Sequence, residues 1–146
     1  MHDLFNHRFL FFVLLFAAVI PCSALELLEP HNGGNFTISR GEELVIRLPG
    51  NPTTGYLWEV FSNDSTMLRL KGESVFVADA DRTGAGGQTI FLFVPCGIGP
   101  TRLKLVYRRP WERDTLPVQV FEVVVTVKQN RKMPASGSDP EHNLSP

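Results

Sequence analysis

Between residues 42 and 127 apolar and polar positions alternate in short runs. Leu44, Ile46 and Leu48 share one parity while Glu43 and Arg47 take the other. Tyr56, Trp58 and Val60 alternate with Leu57, Glu59 and Phe61, and Leu103, Leu105 and Tyr107 with Arg102, Lys104 and Val106. Phe121, Val123, Val125 and Val127 alternate with Val120, Glu122, Val124 and Thr126. This period of two predicts half-buried β-strands. Residues 90–94 are apolar at both parities, which predicts a central strand covered on both faces. Strands are expected over residues 42–48, 56–61, near 68–77, 88–94, 102–107 and 118–127. Turn words separate them: Asn32-Gly33-Gly34, Pro49-Gly50-Asn51-Pro52, Lys71-Gly72, the glycines from Gly84 to Gly87, and Gly97-Ile98-Gly99-Pro100. No helical period of useful length appears. Seven or eight short strands in about 100 residues favour an all-β antiparallel sandwich, with a closed barrel as the alternative. Trp58, alternating inside a strand, is expected in the core.

The two ends of the chain read differently. Residues 9–20 form an apolar run preceded by Arg8 and followed by Pro21-Cys22-Ser23-Ala24. That is the pattern of a secretory leader cut after Ala24. The run is shorter than the roughly 20 residues of a spanning helix. Residues 128–146 are polar and rich in Pro, Ser and Asn, and are expected to be a disordered tail. The expected domain is 25–127, in a protein of the secretory pathway that is secreted or held in lysosome-like vesicles. Asn35, Asn63 and Asn143 open glycosylation triplets, whereas Pro52 disqualifies Asn51.

Charge and cysteine content narrow the function. The net charge is −1, and removing the leader takes one Arg and one Asp and leaves it unchanged. No basic patch exists to bind phosphate, so nucleic acid is not expected as a partner. With Cys22 lost, Cys96 stands alone and no intrachain disulfide can form. It follows an apolar strand and is expected to be buried. Only His31 and His142 remain in the mature chain, far apart in sequence. A Cys96–His31 nucleophilic pair would need a buried thiol, and no metal-ligand spacing is present. Neither enzymatic activity nor a cofactor or metal is expected. Nor is a membrane partner expected after cleavage, and the mature protein is expected to be a monomer.

Three loop words remain, each between predicted strands. Asn51-Pro52-Thr53-Thr54-Gly55-Tyr56 is stiff: Pro52 fixes φ and restricts Asn51, the threonines are β-branched, and Gly55 can take positive φ. Gly84-Ala85-Gly86-Gly87 has almost no side chain, so its backbone can approach a partner closely. A phosphate cradle is rejected there, because a strand follows rather than a helix. Arg109-Pro110-Trp111 places two favoured interface residues around a stiffening Pro. Alternate loops of a sandwich share an end, so the three words could lie together.

In that order and setting, the three words resemble those of the chagasin family of cysteine-protease inhibitors, over residues 29–127. The resemblance implies an immunoglobulin-like sandwich that inhibits papain-like, cathepsin-type proteases as a tight, reversible, non-covalent wedge. It implies that Pro52, Thr53, Thr54 and Gly55 enter the cleft over the catalytic thiol, flanked by Asn51 and Tyr56. It places Gly84, Ala85, Gly86 and Gly87 on the non-primed side through backbone contacts, and Arg109, Pro110 and Trp111 on the primed side. A secreted adhesion or carbohydrate-binding sandwich is the alternative reading of the same scaffold.

Overall fold

The computed structural model describes residues 23–130. The leader up to Cys22 and nearly all of the tail, with Asn143, lie outside the described residues. Strand pairing runs from Ala24 to Lys128, one residue beyond each expected domain boundary.

Nine strands form two sheets. They are β1 (Ala24–Leu28), β2 (Asn35–Ser39), β3 (Glu43–Gly50), β4 (Leu57–Ser62), β5 (Leu68–Leu70), β6 (Val75–Ala78), β7 (Gly87–Pro95), β8 (Gly99–Arg108) and β9 (Gln119–Lys128). One sheet has the order β1-β3-β7-β5, with β6 also paired to β7; the other has the order β2-β9-β8-β4. The sandwich is therefore as expected, with two additions at its edges. Strand β1 pairs parallel to β3, and β2 parallel to β9, so both sheets are mixed rather than purely antiparallel. The cause is a crossing from one sheet to the other between β1 and β2. A single 3₁₀ turn, Glu29–His31, makes the crossing. His31 Nδ1 accepts the Leu28 amide, and Asn32 is pinned to β9 at 3.0 Å and 2.8 Å, donating to Val120 O and accepting from Glu122 N.

The count reaches nine because the expected strand near 68–77 is two and because β1 and β2 precede the strands located by alternation. Gly72, at φ +75°, turns the chain between β5 and β6. Strand β7 is central in its pairing, with β3 on one edge and β5 and β6 on the other. Its outward residues Ile90, Leu92 and Val94 are only half-buried, so one face of this strand is packed and the other lies near solvent.

The core lies between the sheets and follows the alternation. Leu44, Ile46, Leu48, Phe91 and Phe93 from one sheet meet Trp58, Leu103, Leu105, Phe121, Val123 and Val125 from the other. Burying such a side chain contributes about 1.5–3 kcal/mol, so this two-layer contact fixes the register of every long strand. Trp58 is buried, and its indole N–H donates to Pro49 O at 2.9 Å, which satisfies the polar edge of an otherwise apolar ring. Cys96 corrects an expectation. It is half-buried, because β7 ends at Pro95 and the chain turns away, with the Cys96 amide donating to Met67 O at 2.8 Å.

The glycosylation triplets differ in their surroundings. Asn35 is exposed on the edge strand β2. Asn63 is partly buried, and its Nδ2, the atom that would carry a glycan, donates to Leu68 O at 2.7 Å. Expression in a eukaryotic secretory host should therefore give occupancy at Asn35 and little at Asn63. Glycopeptide mass spectrometry reads this directly, and full occupancy of Asn63 would contradict it.

Candidate functional site

All three loop words lie at one end of the sandwich. The first joins β3 to β4 and so bridges the sheets. The second joins β6 to β7 in one sheet, and the third joins β8 to β9 in the other. Register makes the clustering necessary: Gly50 pairs with Gly87, and Leu57 pairs with Arg108, so the strand ends flanking each loop are side by side.

The first loop is one turn of 3₁₀ helix, Pro52–Thr54. Pro52 occupies its first position, where a missing N–H costs nothing. Gly55 closes the turn at φ +84°, donating to Pro52 O at 2.9 Å. Asn51 caps it, and every polar group of Asn51 is bonded within the molecule. Its amide donates to the Tyr107 hydroxyl at 2.9 Å. Its carbonyl accepts the Thr54 amide at 3.1 Å and the Thr54 hydroxyl at 2.6 Å. Its Oδ1 accepts the Thr53 amide at 3.2 Å and the Thr53 hydroxyl at 2.6 Å. Its Nδ2 reaches the second loop and donates to Gly84 O at 3.1 Å. Asn51 therefore builds the site from beneath, while Thr53 and Thr54 are exposed on top.

The second loop divides. Gly84 is exposed at φ +79°, with open space where a side chain would stand. Gly86 is half-buried, and a β-carbon on it would lie 3.6 Å from Gly50 O, an ordinary contact. Ala85 is 8% exposed and Gly87 is buried. Gly87 belongs to β7, and a β-carbon there would press into the Val77 carbonyl and stand 2.8 Å from Ala78 Cα. Gly87 thus holds the loop against β6 and Ala85 is turned inward, so only Gly84 and Gly86 of this word are open to a partner.

The third loop leans on the first. The Arg109 guanidinium lies 4.7 Å over the Tyr56 ring and donates to Glu112 at 3.0 Å. The hydrogen bond to Glu112, with Tyr56 adding to it, holds the guanidinium protonated beyond its already high ordinary pKa. Arg109 is a strut rather than a free anchor. Trp111 is different: the residue is 68% exposed. One edge of it rests on Gly55, where an added β-carbon would sit 2.7 Å from the indole. Glycine at position 55 is required twice, for its positive φ and for the indole against it.

Sequence reasoning missed Tyr107 and Glu112. Tyr107 packs against Trp58 and Tyr56, with ring centroids at 5.1 Å and 5.6 Å, and passes the position of the core to Asn51. Its inward parity in β8 was visible, but nothing in the pattern pointed its hydroxyl at a loop. The three tips form one ridge: the first loop in the middle, bonded to the second through Asn51 and packed on the third through Tyr56 and Gly55.

The model of the chagasin family of peptidase inhibitors matches residues 37–125. The chain belongs to the chagasin family. Chagasin of Trypanosoma cruzi is 33% identical over 100 residues, covering 65% of this chain and 90% of chagasin. Amoebiasin-1 of Entamoeba histolytica is 38% identical over 90 residues, covering 60% of this chain and 84% of that one. Among solved structures, amebosin superposes with a TM-score of 0.58 at 33% identity, over 73% of this chain and 98% of that one. The Entamoeba histolytica cysteine protease inhibitor EhICP2 shares the fold, with a TM-score of 0.62 at 24% identity over 73% and 96% of the two chains. The chagasin-family membership makes this protein an inhibitor of papain-like cysteine proteases rather than an enzyme.

Two contrasts test the division between holding and open residues. Gly87→Ala should lower unfolding stability by about 1–3 kcal/mol through overpacking against β6, whereas Gly86→Ala should change it by less than about 0.5 kcal/mol; chemical denaturation compares them. Asn51→Ala should cost about 1 kcal/mol of stability through the lost cap and also weaken protease binding. Asn51→Asp keeps the capping oxygen but puts a carboxylate against Gly84 O, so it should weaken binding with a smaller stability loss. Equal affinity of both variants and the parent protein would remove Asn51 from the design.

Proposed function

We propose that this chagasin-family chain inhibits papain-like cysteine proteases by laying the ridge along the active-site cleft, with the Pro52–Thr54 turn over the catalytic thiol. Gly84 and Gly86 would flank it on one side through backbone contact, and Trp111 on the other. The observation that carries this reading is the convergence of the three tips, cross-bonded by Asn51, Tyr56 and Gly55.

The turn explains how a groove evolved for peptides can be filled without cleavage. Attack requires a carbonyl in near-attack alignment with the nucleophile. The Asn51 and Pro52 carbonyls already accept internal hydrogen bonds, and Pro52–Thr54 is curled 3₁₀ backbone rather than the extended form of a bound peptide. The exposed Thr53 and Thr54 fill space with stiff side chains that lose little entropy when immobilised. The ridge carries no nucleophile, so the block is steric and reversible. Three tips of this kind suit a standard protease–inhibitor interface of about 1,600 Å².

The reading extends to place. The leader-like residues 1–24 support entry into the secretory pathway, and then secretion or delivery to lysosome-like vesicles, where papain-like proteases can be met. Mass spectrometry of the mature N-terminus tests the cut after Ala24.

Titration of purified protein into papain should abolish activity at a one-to-one ratio, reversibly on dilution. Undiminished activity would favour the adhesion reading. Trp111→Ala should cost about 2–4 kcal/mol of binding with an unchanged unfolding midpoint, because the ring is mostly in solvent. An unchanged inhibition constant would take Trp111 out of the interface.

A further inference from the structure

The third loop has a second limb beyond Trp111, and that limb is as firmly built as the first. The Glu112 amide donates to Arg109 O at 3.0 Å, and the Thr115 amide and hydroxyl donate to Glu112 O at 3.3 Å and 2.8 Å. Pro117 then restricts φ, and the Val118 amide donates to Tyr107 O at 3.0 Å, where the β8–β9 ladder resumes. Held between these bonds is Leu116, 90% exposed, followed by Val118 at 58%. Its neighbours in the limb, Glu112, Arg113, Asp114 and Thr115, are polar, as a solvated loop should be.

The apolar surface continues onto the outer face of the sheet. Leu57, 42% exposed, pairs across β4–β8 with Arg108, the residue next to Tyr107. The head of Arg108 is drawn to Glu59 at 2.8 Å, two pairs further along the strands, so it does not cover this edge with charge. Leu57, Leu116 and Val118 therefore share the end of the sheet from which Trp111 projects.

We propose that Leu116, Val118 and Leu57 form an apolar shelf, continuous with the ridge, that packs on the body of the target protease outside its cleft and selects among papain-like proteases. This rests on the ridge reading above. The fold has no use for a leucine almost wholly in water, since it buries nothing against the core. A partner that already grips Trp111 brings its own surface over the same loop, and would bury the shelf at no further cost in rotational or translational freedom. The cleft of such enzymes is constrained by a shared chemistry, whereas the surface around it is free to differ. A contact there discriminates where the three tips cannot.

The test uses the mature protein and variants Leu116→Ser, Leu116→Met and Leu57→Ser/Val118→Ser, with Trp111→Ala alongside. Inhibition constants are measured against papain and two cathepsin-type proteases, together with unfolding midpoints. Leu116→Ser should weaken inhibition of at least one protease by about tenfold, a step of 1.4 kcal/mol, while another is little changed. Leu116→Met should keep the parent profile, and the midpoints should not move for either. Constants within about twofold of the parent for Leu116→Ser and the double variant, with Trp111→Ala still impaired, would overturn the shelf and leave the ridge standing. An equal loss against all three enzymes would refute selection. If Trp111→Ala is also without effect, the ridge reading fails and the shelf with it.

Discussion

Asn51 is the point on which the site depends. Its amide, carbonyl, Oδ1 and Nδ2 all find partners inside the molecule, on Tyr107, Thr53, Thr54 and Gly84. Those bonds do three separate things. They cap a 3₁₀ turn too short to be stable alone. They tie that turn to the second loop. They also connect it, through the Tyr107 hydroxyl and the tilted, packed rings of Tyr56, Tyr107 and Trp58, to the core. Fixing one loop residue costs about 1–2 kcal/mol of backbone entropy. Three free loops would meet that cost on binding, whereas here folding has already met it.

The scaffold was largely legible because its cause is local and periodic. Alternation located β3, β4, β7, β8 and β9 to within a few residues, since a two-layer core leaves no other way to bury Leu44, Ile46, Leu103, Leu105, Phe121 and Val123 together. Strands β1 and β2 were less visible, because each is five residues long and contributes one fully buried side chain, Leu27 or Ile38. Their parallel pairing depends on the crossing at Asn32, a side-chain-to-backbone contact about 90 residues away in sequence, which no local pattern encodes. Cys96 was misplaced for a related reason. An apolar run predicts burial only while the strand lasts, and Pro95 ends it.

The site was legible as positions but not as roles. The loop words marked three segments that the structure brings together at one end, and it sorts their residues by direction. Asn51 and Arg109 look like polar contact residues in sequence, yet both are spent internally, one on a cap and one between Tyr56 and Glu112. Ala85 and Gly87 look like open backbone, yet Ala85 is buried and Gly87 sits against β6, where Val77 and Ala78 leave no room for more. Conversely, Trp111 is a large apolar side chain that the core never claims, and its identity gave no sign of which way it would turn. Direction is set by tertiary neighbours, and those are absent from any window of residues.

This sorting bears on how a small domain without a disulfide can present a rigid ridge. Its holding residues are of two kinds. Glycines at 55 and 87 hold by having nothing where a neighbour must pass, Asn51 holds by bonding every polar group it has, where unmade bonds are costly, and Tyr107 and Arg109 hold through single hydrogen bonds and ring contacts. Neither kind needs a covalent staple. The Thr53 and Thr54 hydroxyls and the Gly84 carbonyl belong to the holding set as well, through Asn51. Trp111, beyond its contact with Gly55, and Leu116 carry no such duty, and they can change with the partner while the ridge stays in place. A surface built in this way separates affinity from specificity. The buried bonds determine how little order is lost on docking, and the exposed residues determine which groove accepts the shape.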